Sequence, residues 1–177
     1  MSGSSLYRRV LGEKLDLLPQ PLRRFHDSTA GARAEGKLCV KRADGLVRSA
    51  IANAFRLPPS SDSIAVRLTV TCDGDREVWV RDFGGRELAS VQWEEDGFLV
   101  EQVSSVRFVF NLVPDRRGLA YELRECRFGA IAVPHALAPR VFTTTSGSDS
   151  GWHLSMRMEV PVLGRLLEYE GNMRCLS

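Results

Sequence analysis

An α+β fold is predicted: a curved antiparallel β-meander or partly closed β-barrel of about eight strands, with N-terminal helices packed on it or in it. Three observations predict it. The apolar period changes from helical to two at Ile64. Turn signals then recur at Asp73-Gly74, Gly84-Gly85, Asp96-Gly97, Ser104-Ser105 and Arg117-Gly118. The first third of the chain carries amphipathic helical segments that need a sheet to pack against. One domain spans 1–177, mostly helical over 1–58 and antiparallel sheet over 62–174.

The elements follow in order. Leu6, Val10, Leu11, Leu15 and Leu18 recur near helical spacing, so residues 6–27 read as helical. Pro19 and Pro21 interrupt that run, and Pro21 suits the first turn of a second short helix ending near His26. Residues 29–36 are small and polar and read as a loop, and 37–42 as a short strand around Leu38 and Val40. Asp44 is placed to cap a helix over 45–55 whose apolar face is Leu46, Val47, Ala50, Ile51 and Ala54. Leu57-Pro58-Pro59 ends it. Ile64, Val66, Leu68 and Val70 alternate with Ala65, Arg67, Thr69 and Thr71 as in a half-buried strand. Residues 129–151 read as a proline-containing loop, followed by strands over 152–160 and 165–173.

Composition excludes several classes. The 177 residues suit one domain, and 44% hydrophobic residues supply a sizeable core. The balance of 24 basic and 22 acidic residues gives no whole-chain drive toward nucleic acid or an anionic membrane. No apolar run approaches the ~18 residues of a membrane span. Cys39, Cys72, Cys126 and Cys175 lack metal-ligand spacing, and His26, His135 and His153 are widely separated, so no metal site is predicted. The reading is a reduced, cytoplasmic protein with inert thiols. No GxGxxG, GxxxxGK[ST] or GxSxG occurs, and no cofactor is implied. Arg23-Arg24 and Arg116-Arg117 lack the interleaved aromatics of a single-strand nucleic-acid groove.

Two-residue turns at Gly84-Gly85, Asp96-Gly97 and Ser104-Ser105 set a register. Arg81 then lies opposite Leu88, Trp79 opposite Ser90, Glu77 opposite Gln92, Gln92 opposite Glu101, and Glu101 opposite Phe108. One face carries Val78, Val80, Ala89, Val91, Trp93, Val100 and Val109 and reads as core. The other carries Glu77, Trp79, Arg81, Ser90, Gln92, Glu101, Phe108 and Phe110. Aromatic rings beside a few fixed polar groups suit a ligand cavity; cover by the N-terminal helices suits them too. In a cavity, desolvation would raise the Glu101 pKa toward a useful acid or base. Arg81, further along the sheet, is not expected to pair with it. His26 is a second acid-base candidate, against the plainer reading of a helix-end histidine. Met156 and Met158 share a strand face with Trp152 and Leu154, which reads as core.

The sequence resembles a bacterial family known only as a domain of unknown function. The resemblance rests on Leu18-Pro19 followed by Arg24-Phe25-His26, on Glu77-Val-Trp79-Val-Arg81-Asp-Phe83-Gly84-Gly85, and on Gly97-Phe-Leu-Val-Glu101. Gly129-Ala-Ile-Ala-Val-Pro134 with Leu137-Ala-Pro139, and Pro161-Val-Leu163-Gly164 ending in Tyr169-Glu-Gly171, complete it. It implies no activity, but it implies fusion to, or encoding near, dehydrogenase-like or small membrane proteins. Around residues 132–135 the chain departs from the family pattern.

Three functions are carried forward. The first is binding of a hydrophobic small molecule between sheet and helices. The second is a cofactor-free isomerase or cyclase in a biosynthetic pathway, with Glu101 or His26 as acid or base and Arg81 or Tyr169 orienting the substrate. The third is an accessory module for a dehydrogenase-like partner. A homodimer is left open.

Overall fold

Ten antiparallel strands close into a barrel in the computed structural model, which describes residues 3–176. The chain begins with α1 (Leu6–Leu11), a 3-10 turn (Gly12–Leu17) and α2 (Gln20–His26). It continues through β1 (Ala32–Arg42), α3 (Leu46–Ala54), β2 (Ser61–Asp73), β3 (Arg76–Phe83), β4 (Arg86–Glu95), β5 (Phe98–Val103) and β6 (Val106–Pro114). Then come β7 (Gly118–Phe128), the two-residue β8 (Ile131–Ala132), β9 (Arg140–Gly147), β10 (Trp152–Val160) and β11 (Gly164–Cys175). Each barrel strand pairs with its sequence neighbour; β7 pairs directly with β9, and β1 with β11 closes the ring. β8 is a short spur on β7.

The tight turns fix the register that the sequence gives to β3–β6. Arg81 pairs with Leu88, Gln92 with Glu101, and Glu101 with Phe108. Gly84 and Gly85 have φ of 61° and 97°, and Asp96 and Gly97 have 53° and 80°. Positive φ at both central residues gives the turn twist that antiparallel strands need, and glycine takes it without a Cβ clash.

Other expectations need correction. Residues 32–36 are strand, not loop, and lengthen β1 back to Ala32. β9 lies inside the segment read as loop, which is why the strand count exceeds eight. α3 has Gly45 at its N-terminus with no side-chain cap, so Asp44 does not cap it. Its apolar face is also misjudged: Leu46, Val47 and Ala50 are exposed, while Ala52 is buried and Ile51 packs on the core. Of the cysteines only Cys126 is buried, and Cys175 is exposed.

The two faces of β3–β6 are exchanged relative to the sequence reading. The row with Glu77, Trp79, Ser90, Gln92, Phe108 and Phe110 points inward and is buried. The valine row faces outward: Val78, Val80, Val91 and Val109 are half-buried and Ala89 is exposed. Arginine stems cover part of that outer row. Arg76 and Arg107 stack on Trp93 at 4.8 and 5.5 Å, and Val100 opposite Trp93 is fully buried.

The barrel has two unlike ends. α1, the 3-10 turn and α2 plug one end. Leu6, Tyr7, Leu11, Leu15, Leu18, Leu22 and Phe25 are all buried there. Each such side chain contributes about 1.5–3 kcal/mol through burial. Six- and seven-residue helices are too short to persist alone, so this packing holds them. Ser5 accepts the Arg8 N–H at 3.1 Å and caps α1, and Arg8 ties α1 to Asp16 and Asp27. The opposite end carries α3 and the connections β3–β4, β5–β6, β7–β9 and β10–β11. We call these ends the floor and the mouth.

Candidate ligand site in the barrel lumen

Closing ten strands leaves a lumen with a cavity of about 240 Å³. Leu68, Leu88, Val106, Met156, Met158 and Leu167 supply apolar wall, and Trp79, Phe108, Phe110, Trp152, Tyr121 and Tyr169 supply rings. The methionine stripe of β10 is therefore lumen wall. Ile51, Phe55, Leu57 and Pro139 line the cavity from the mouth side, and Phe25 and His26 from the floor.

A polar network crosses this apolar wall. One Arg81 Nη donates to Glu101 Oε1 at 2.9 Å and the other to Ser90 Oγ at 2.8 Å. Ser90 Oγ itself donates to the same Glu101 oxygen at 2.6 Å. Tyr7 donates to Gln92 Oε1 at 3.1 Å, and its hydroxyl lies 3.1 Å from that of Tyr121. The Arg81–Glu101 pair overturns the expectation that the two stay apart. Curvature turns inward side chains toward one another, and the long Arg81 stem spans β4 diagonally.

Glu101 does not have the raised pKa that burial alone would give. Burial pushes its carboxyl up, but the Arg81 charge and hydrogen bonds from Ser90, Gln92 and Arg81 outweigh it and hold it below the ordinary value. It is an ionised partner of Arg81, not a free acid near neutrality. Arg81 and Glu101 keep side-chain exposures of 17% and 16%, and both line the cavity, so their remaining hydrogen-bonding capacity faces the lumen. Two of the five Arg81 donors are engaged.

The other candidate residues separate into two groups. Tyr169 lines the cavity, and burial raises its phenol pKa despite the Arg81 charge. His26 ends α2 as expected, but at 5% exposure it is buried, not a surface histidine. Its ring centroid is 3.9 Å from that of Tyr7, and its Nδ1 has no hydrogen-bond partner. Burial lowers its pKa to about 3, which keeps the imidazole neutral. Glu77 lies apart from the cavity lining. It accepts from the Trp79 indole at 2.9 Å and from the Leu6 backbone N–H, and burial raises its carboxyl. It fastens α1 to β3.

Several lumen residues were missed from the sequence. Tyr7 and Tyr121 gave no local signal, because their contact joins α1 to β7. Thr143 and Thr145 lay in the presumed loop, yet their β-branched alternation with Val141 was a strand signal.

The residues that carry this network fall inside a matched family. Residues 18–173 match the model of a domain of unknown function, DUF4166. The chain belongs to the DUF4166 family. Within its matched span lie Trp79, Arg81, Ser90, Gln92, Glu101, Tyr121 and Tyr169, whereas Tyr7 on α1 precedes it. This DUF4166 protein is also similar in fold to a crystal structure from Nostoc punctiforme PCC 73102, a DUF3598-family protein of unknown function. The TM-score is 0.54 at 12% identity, over 82% of this chain and 47% of the other. The chain thus spans about half the length of that structure, and the likeness is one of fold alone. No curated protein matches the sequence.

Proposed function

We propose that this DUF4166 domain binds an apolar small molecule in its barrel lumen, with a polar oxygen of the ligand held at Arg81 and Tyr169. The observation that carries this reading is a largely apolar cavity in the barrel lumen with one pre-organised polar network on its wall. Small-molecule sites combine these two features, because apolar surface supplies affinity and a few fixed polar groups supply orientation. An apolar cavity of about 150 Å³ accepts benzene. The larger cavity of about 240 Å³ suits a molecule of one or two rings or a short branched chain. Since Arg81 is already neutralised by Glu101, a carbonyl or hydroxyl oxygen fits better than a carboxylate, which would compete with Glu101 for the same guanidinium.

Binding is favoured over acid-base catalysis on this site. General acids and bases work best with a pKa near the operating pH. Glu101 is held ionised, His26 is held neutral down to about pH 3, and burial raises the Tyr169 phenol.

Native mass spectrometry of the purified protein, beside a denatured sample, tests the reading. An adduct that is lost on denaturation and retained by Glu101→Gln supports a binder. Turnover of the released molecule by the wild type, abolished in Glu101→Gln with binding intact, would replace the binder by an enzyme.

A further inference from the structure

Exposed apolar side chains are distributed unequally between the two ends. Leu46, Val47, Phe128, Ile131, Leu137 and Val162 have exposures from 58% to 101%, and all six stand at the mouth. The large apolar side chains exposed at the floor end, Leu17, Val113 and Leu176, reach only 38% to 45%. The mouth residues come from separate elements: the start of α3, the β7–β8 hairpin, the β8–β9 connection and the β10–β11 turn. They form an arc of separate tips along the opening from β2 through β1, β11, β10 and β9 to β7, not a flat patch.

Val162 adds an independent observation. Its φ is +69°, a conformation that a β-branched residue adopts only with strain. Glycine would relieve that strain at a fully exposed turn. An apolar side chain is nevertheless presented there, and strain kept at a surface position points to a role for the side chain.

Charge is concentrated beside these tips as well. Arg42, Arg48, Arg56, Arg86 and Arg140 stand at mouth-side strand ends, on α3 or just after it, and form no ion pair among the described residues. Asp44, Asp62, Asp82 and Glu87 are the acidic residues beside them that form no ion pair among the described residues. With Lys41 near the end of β1, also without an ion pair, the mouth carries six such cations against four such carboxylates, an excess equal to the whole-chain charge of +2.

We infer that the mouth docks on an anionic lipid bilayer, with Leu46, Phe128, Ile131, Leu137 and Val162 inserted at the headgroup boundary and the arginines on lipid phosphates. Dispersed apolar tips suit a fluid surface that yields around each one, and interspersed cations add electrostatic attraction to anionic lipid. Docking in this way would set the opening of the lumen against the hydrocarbon. The inference concerns the outer rim and does not require the lumen to be loaded.

Vesicle flotation of the full chain tests it, using phosphatidylcholine vesicles with and without phosphatidylglycerol. The protein should float with the anionic vesicles and do so less at high salt. Leu46→Glu with Val162→Glu should lower partitioning by about tenfold or more. Leu17→Glu at the floor should float like the wild type. Val162→Gly guards against misfolding as an explanation: it should fold at least as stably yet partition less. Three results would overturn the inference: no flotation, flotation indifferent to the mouth substitutions, or a dimer in solution that the mouth substitutions dissolve, which would assign these tips to a second copy of the chain.

Discussion

The floor and the mouth of the barrel solve the same problem differently. Both ends of a closed sheet expose apolar edges of the lumen. At the floor, the N-terminal segment from α1 through the 3-10 turn to α2 buries seven large apolar side chains and sends Tyr7 down to Gln92 and Tyr121. At the mouth, α3 and the turn after it pack Ile51, Phe55 and Leu57 on the core but leave Leu46 and Val47 in solvent. The floor is a finished piece of core, and the mouth is covered only in part. The difference teaches that the two ends divide their tasks: the floor is closed by packing, and under the proposed function the partly covered mouth is the ligand's way in.

Substitutions sharpen this contrast, beginning with the largest effect. Leu22→Ala at the floor, fully buried, should cost about 2–5 kcal/mol in urea denaturation. Leu46→Ala at the mouth, 94% exposed, should stay within about 0.5 kcal/mol. Comparable losses at both ends would break the contrast. Glu101→Gln should cost about 3 kcal/mol, because it leaves the Arg81 charge in the lumen without its counterion. Glu101→Leu combined with Arg81→Met should recover most of that loss, since an apolar pair needs no counterion.

A smaller effect separates His26 from the carboxylates. Its folded pKa is about 3, against about 6.5 when unfolded. Between those values the unfolded state holds the extra proton, so stability falls as pH drops through the window. The slope should be at most about 1.4 kcal/mol per pH unit. Glu101 and Asp27 have lowered folded pKa values, so their contribution is present above the unfolded carboxylate value and is lost only at more acid pH. A decline from about pH 6.5 to 5 that disappears in His26→Gln would assign the upper part of the profile to this ring.

Much of the sheet was legible because its signals are local. Gly84-Gly85 and Asp96-Gly97 demand tight turns, and those turns fix every pairing from Glu77 to Phe110. Trp79, Arg81, Glu101 and Phe108 were therefore placed on one face from the sequence. Which face was inside was not legible. Alternation distinguishes two faces, but the valine row looks more like core than a row with Glu77 and Arg81 does. Only closure of the ring, through β6–β7 and β1–β11, decides it. The Arg81–Glu101 pair was hidden for the same reason: flat-sheet spacing separates them, and curvature brings them together. β9 was overlooked because prolines and small residues flank its Val141-Phe-Thr-Thr-Thr145 core.

The central claim is that the lumen, and not the outer surface, takes up an apolar molecule. Its most direct test is a fluorescence titration of N-phenyl-1-naphthylamine, a small neutral apolar probe, into wild type and Thr143→Phe. Thr143 lines the cavity, so the larger ring occupies the proposed site without adding charge. Saturable enhancement in the wild type that is lost in a folded Thr143→Phe is the predicted result. Saturable binding of equal affinity in both proteins, or none in the wild type, would contradict it.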